Sequence, residues 1–89
     1  MPPERRSLPR PELAALGKAI EDRIAEQPGM TRESVRDRCG IDVRRIGGYI
    51  RGEHNPSYTT MQRLAQGLGL SLRDFAARVE ALEKNLSEI

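Results

Sequence analysis

The residues best suited to chemistry in this 89-residue chain are its arginines, which make up 13 of the 15 basic residues and leave only Lys18 and Lys84. A guanidinium is planar, permanently charged, and able to grip a phosphate or the edge of a guanine through two N–H groups at once. The net charge is only +2, but it is unevenly spread. Residues 11–30 hold two basic against four acidic side chains, a sum of −2, whereas residues 31–51 hold six against three, a sum of +3. Distribution matters more than total when the partner is a polyanion, so the arginine-rich centre (Arg32, Arg44, Arg45, Arg51) points to nucleic acid. Arg5, Arg6 and Arg10 add a basic N-terminal arm that can follow a phosphate strand or enter a minor groove.

Other chemistries find little support. Cys39 and His54 are the only residues of their kinds, and no C-x-x-C or H-x-x-x-H spacing exists, so neither metal nor cofactor is expected. A single His without a plausible nucleophile gives no triad, and no glycine-rich phosphate loop follows a strand pattern, which argues against an enzyme. Cys39 reads as interior filling and His54 as loop surface within reach of phosphate. One cysteine allows no internal disulfide, no apolar run approaches the roughly 18 residues of a membrane span, and Pro2, Pro3, Arg5 and Arg6 do not resemble a signal peptide. The expected compartment is the cytosol, with no membrane partner.

The elements that must position these arginines are all helical. Residues 1–10 read as a flexible arm, being rich in Pro and Arg with little to bury. Pro11 suits a first helical turn, and Leu13, Leu16, Ile20 and Ile24 form one apolar stripe before Pro28-Gly29 stops the helix. Thr31 can cap a short second helix with Val35 and Cys39 inward, ended by Gly40. Asp42 offers the next cap, for a third helix to Arg51 with Ile46 and Tyr49 or Ile50 inward. Two short helices joined by so tight a turn predict a helix-turn-helix. After a loop through Pro56, Ser57 caps a fourth helix with Met61, Leu64, Ala65 and Leu68 inward, and Ser71 with Asp74 forms a capping box for a fifth. No segment alternates as a strand would.

Three pieces together carry a family resemblance: Met30-Thr31-Arg32-Glu33-Ser34-Val35 with Gly40 following, Arg51-Gly52-Glu53-His54-Asn55-Pro56-Ser57, and Leu64-Ala65-Gln66-Gly67-Leu68-Gly69-Leu70-Ser71-Leu72. In order and spacing, across Leu13 to Phe75, the chain resembles the lambda-repressor-like, Cro-type helix-turn-helix regulators of the XRE family. The resemblance implies an all-α, five-helix domain over residues 11–72 whose second helix crosses the DNA backbone while the third enters the major groove. It also implies a phosphate contact for Arg32, base-reading positions for Val43, Arg44, Gly47 and Gly48 with Arg45 beside them, and places near the backbone for Arg51 and Asn55. Gly47-Gly48 departs from what a short helix needs, since each glycine costs roughly 1 kcal/mol relative to Ala and neither side chain can bond a base. Either the bare backbone approaches DNA closely or the helix is weak and frayed. Direct reading of bases then falls to Arg44 and Arg45.

Phe75, Val79, Leu82, Leu86 and Ile89 continue a seam spaced four, three, four and three, the pattern of a helix that meets a partner. Residues 73–89 therefore read as an extended C-terminal helix for homodimerisation, with folding back onto its own domain as the alternative. The function expected is that of a dimeric phage or bacterial repressor that occludes a promoter at a palindromic operator of double-stranded DNA. The rival is an antitoxin-like or adaptor protein whose C-terminal helix grips a second protein.

Overall fold

A computed structural model describes residues 11–87, with the side chains of residues 86 and 87 left aside. Five helices follow one another: α1 (Pro11–Glu26), α2 (Arg32–Cys39), α3 (Val43–Ile50), α4 (Tyr58–Gly67) and α5 (Leu72–Ser87). No strand occurs among the described residues. The helix starts and stops follow from local chemistry. Thr31 and Ser34 cap α2 reciprocally, Ser34 N–H donating to Thr31 Oγ1 at 3.1 Å and Thr31 N–H to Ser34 Oγ at 2.9 Å. Gly40 ends α2 with φ 74°, and its N–H donates to the Arg36 carbonyl at 2.7 Å; that left-handed turn suits a residue without Cβ. Ser57 caps α4, accepting from Thr60 N–H at 3.2 Å, and Ser71 accepts from Asp74 N–H at 3.0 Å.

One expected cap is absent. Asp42 stands at the N-cap of α3, but its side chain makes no capping hydrogen bond. Only its carbonyl takes part, accepting from Ile46 N–H at 2.9 Å. Burial of Ile46 and Tyr49, rather than a cap, must hold this eight-residue helix, since a helix so short is marginal by itself.

The core is mainly aliphatic, with Ile20, Val35, Ile46, Leu64 and Leu68 fully buried beside the aromatic Phe75 and with Leu16, Cys39, Ala65 and Tyr49 around them. Two glycines let the helix-turn-helix sit close to the rest. A Cβ at Gly17 of α1 would strike the Ile50 carbonyl oxygen and lie 2.8 Å from the Tyr49 oxygen, so the end of α3 rests directly on the α1 backbone. At Gly67 of α4 a Cβ would lie 2.9 Å from Val35 Cγ1 and 3.0 Å from Cys39 Cβ, so α2 rests on α4 in the same manner. Arg23 ties these layers together, its Nε donating to the Leu68 carbonyl at 2.9 Å at the end of α4. Its Nη1 meets Glu26 at 3.0 Å, and Glu26 also holds Arg78 of α5 at 2.7 Å.

The C-terminal helix contributes to this core through Leu82. Phe75 is 0% exposed, and Val79 and Leu82 are half-buried against the same cluster. Of the seam expected to face a second subunit, Phe75 is covered by its own domain and Val79 and Leu82 are partly covered, because α5 lies along α1. Ile89 and the side chain of Leu86 lie outside the described residues, as do Arg5 and Arg6 of the N-terminal arm.

Candidate nucleic-acid interface

Helix α3 buries Ile46 and Tyr49 and half-buries Val43 and Ile50, which fixes its outward face. Successive residues turn by about 100°, so Arg44, two positions before Ile46, points roughly opposite to the core. Gly48 and Arg51 lie four and seven positions after Arg44 and continue the same line. Arg44 is exposed and, like Arg32, pairs with no carboxylate among the described residues. It is a free guanidinium at the start of the helix that the turn presents.

The neighbours expected beside it are placed differently. Arg45 turns to the flank, where its Nε donates to the Tyr49 hydroxyl at 3.4 Å. It lines a shallow hollow with Ile41, Asp42 and Thr60. Adjacent residues on a helix cannot share a face, and Tyr49 four positions on offers Arg45 an acceptor. Val43 lies on the inward margin, half-buried. Asn55 is exposed in the loop after α3, next to Pro56 and near Glu12 and Leu13 at the start of α1.

Gly47 lies between two positive groups. A Cβ there would be 3.1 Å from Arg51 Nη1 and 3.3 Å from Arg32 Nη1, so guanidiniums from the start of α2 and the end of α3 converge above a bare backbone. Like charges so close favour an anion between them. Glu53 supplies part of it, bonding Arg51 Nε at 2.8 Å and Nη2 at 3.2 Å. Arg51 holds the Glu53 carboxyl below the usual carboxylate range, so Glu53 is ionised at neutral pH. Arg32 is left for another anion, and a phosphate fits that need.

The glycine pair is covered rather than open. Both residues are buried within a continuous helix, and Gly48 is covered by the imidazole of His54. A Cβ at position 48 would fall 2.5 Å from His54 Cδ2 and 2.8 Å from Nε2. Sequence reasoning set His54 aside as loop surface and did not single out Gly17; a lone glycine inside a helical pattern was the available signal for the latter. Among the described residues no group of His, Cys, Asp or Glu is placed to hold a metal ion. None of their helices is long and apolar enough to cross a membrane.

Comparison with known proteins bears on the family and the fold. Residues 22–75 match the helix-turn-helix family HTH_3. An uncharacterised HTH-type transcriptional regulator of Sinorhizobium fredii, y4dJ, is 37% identical over 49 residues, which span 55% of this chain and 64% of that relative's length. Among solved structures, the restriction-modification controller C.AhdI from Aeromonas hydrophila is 25% identical with a TM-score of 0.65, covering 72% of this chain and 96% of its own. The controller C.Esp1396I, solved as a tetramer with its natural 35 base-pair operator, has a TM-score of 0.72 at 22% identity, covering 81% of this chain and 93% of its own. The five-helix fold, the turn between α2 and α3 and the family match over residues 22–75 lead to one conclusion: the chain belongs to the helix-turn-helix family.

Proposed function

We propose that this protein is a transcriptional regulator that binds operator DNA, laying α3 in the major groove with Arg44 as its main base-reading residue. The observation that carries this reading is the outward stripe of α3, where an unpaired Arg44 stands in line with the Arg32–Arg51 pair above Gly47. A guanidinium at the leading end of a groove-bound helix bonds O6 and N7 of guanine together. Arg32 holds phosphate and sets the register, with Arg51 beside it in the grip of Glu53. Arg45 serves the flank, steering or meeting the backbone, and Arg5 and Arg6 extend the basic surface. Catalysis has no part in the proposal.

Binding as more than one copy accords with the scale of operators, since one such domain covers one half-site and half-sites recur about every 34–36 Å. The controller C.Esp1396I, similar in fold, is a tetramer on its operator. Phe75, Val79 and Leu82 pack on the domain's own core, which leaves less of the tail's apolar face for the adaptor alternative. Repression by occupancy of a promoter is the simplest mode of action, in a bacterial or phage setting and in the cytoplasm.

The test is Arg44→Ala, measured on a duplex selected by the wild type from a random library and on random duplex. The expected loss is about 1–3 kcal/mol on the selected duplex with little change on the random one. Equal losses on both would remove Arg44 from base reading.

A further inference from the structure

We infer that His54 reads a base edge, and that Gly48 is glycine in order to seat it; the inference rests on the DNA-reading assignment above. The outward line of α3 runs Arg44, Gly48, Arg51, and a glycine in its middle would leave the helix with nothing to offer a base one turn beyond Arg44. The gap is filled from outside the helix. The loop after α3 folds back, Glu53 N–H donating to the Gly48 carbonyl at 2.9 Å. The His54 ring then occupies space that any side chain at position 48 would claim, with Cδ2 2.5 Å and Nε2 2.8 Å from where a Cβ would be.

Tyr49 steadies the ring edge-on, with centroids 5.9 Å apart and planes at 80°. Residue 54 is nevertheless exposed, so the imidazole is held on one side and open on the other. Its seat at position 48 is about 6 Å along the helix from Arg44, roughly two base-pair steps of about 3.4 Å. A neutral imidazole offers one donor and one acceptor, suited to a purine N7 or to an exocyclic amino group in the major groove. Glu53, engaged by Arg51, flanks the ring without neutralising its hydrogen-bonding groups. The reading surface is therefore composite, an arginine from the helix and a histidine from the loop laid over a glycine.

The experiment is library selection with the full chain, followed by binding measurements on the duplex the wild type selects, for His54→Ala, Gly48→Ala and the double variant. Thermal unfolding confirms that each is folded. His54→Ala is expected to bind the selected duplex roughly 3- to 10-fold more weakly and to lose preference at one base pair per half-site while keeping the rest. Gly48→Ala displaces the ring and is expected to lose preference at that same base pair, with the double variant no worse than either single one. A uniform loss across sequences, or none, overturns base reading by His54. A loss from Gly48→Ala that persists undiminished in the His54→Ala background overturns the seat, because Gly48 then meets DNA itself. If the wild type enriches no motif, the DNA-reading function fails before any variant is compared, and His54 falls with it.

Discussion

Substituting Gly17 by Ala tests how the recognition helix is seated. The added methyl would land on the Ile50 carbonyl oxygen, with the Ile50 carbonyl carbon and the Tyr49 oxygen each 2.8 Å away. Carbon contacts settle at about 3.5–4.0 Å, so the C-terminal turn of α3 must retreat by roughly 1 Å. The obstacles are backbone atoms, which cannot rotate aside as a side chain can. Overfilling a close-fitted interior costs about 1–3 kcal/mol, and backbone on both sides places this site at the upper end. Replacing a mid-helix glycine returns about 1 kcal/mol of helix propensity. The net expectation is a loss of about 2 kcal/mol, or a fall in Tm of about 8–16 °C for a domain of this size. Far-UV circular dichroism during heating measures it, and Gly47→Ala is the paired control. There the new methyl meets only the flexible ends of Arg51 and Arg32, at 3.1 and 3.3 Å, so the propensity gain should prevail and Tm should rise. If Gly17→Ala melts at or above the wild-type temperature, the direct seating of α3 on α1 is wrong.

Three further outcomes follow from the same geometry. Thr31→Ala removes one arm of the reciprocal cap with Ser34 and should lower stability by about 1 kcal/mol, read by denaturant unfolding; no shift in midpoint would show that α2 does not depend on its cap. Glu53→Gln releases Arg51 from its carboxylate partner and should steepen the salt dependence of binding to random duplex, by up to about 0.9 in the slope of log affinity against log salt if one more phosphate is engaged; an unchanged slope would mean that Arg51 does not face phosphate. Hydrogen bonds from Arg78 and Arg23 lower the pKa of Glu26 in the folded state. Its stabilising effect is therefore full above the ordinary carboxylate pKa and is lost as pH falls through the lowered folded value. Glu26→Gln should be less stable than wild type at neutral pH and equal to it once both are acidified, and a gap that stays constant with pH would assign the effect to shape alone.

Helix existence and type were legible because the signals are local. Thr31, Gly40, Ser57 and Ser71 act within a few residues of themselves, and each stands where a helix begins or ends. Contacts between distant parts were less legible. Nothing around Gly17 announces that Ile50 will lie against it, since the two are far apart in sequence. The tail shows the same limit from the other side: spacing reveals that Phe75, Val79 and Leu82 share an apolar face, but not whether α1 or a second subunit covers it. Arg44 and Arg45 are equivalent as residue types and differ only by the turn of the helix between them. The loop back to Gly48 left no trace in the pattern either, because a glycine that admits a neighbour's ring reads the same as one that merely weakens a helix.

The central claim is that α3 reads DNA sequence through Arg44, and selection of bound sites from a random duplex library by the wild-type protein tests it most directly. The account predicts an enriched motif with guanine at a fixed position in each half-site and half-sites about one helical turn apart. Recovery of unbiased sequence at a salt concentration where the protein still binds duplex would contradict it, leaving a helix-turn-helix that holds the backbone and reads nothing.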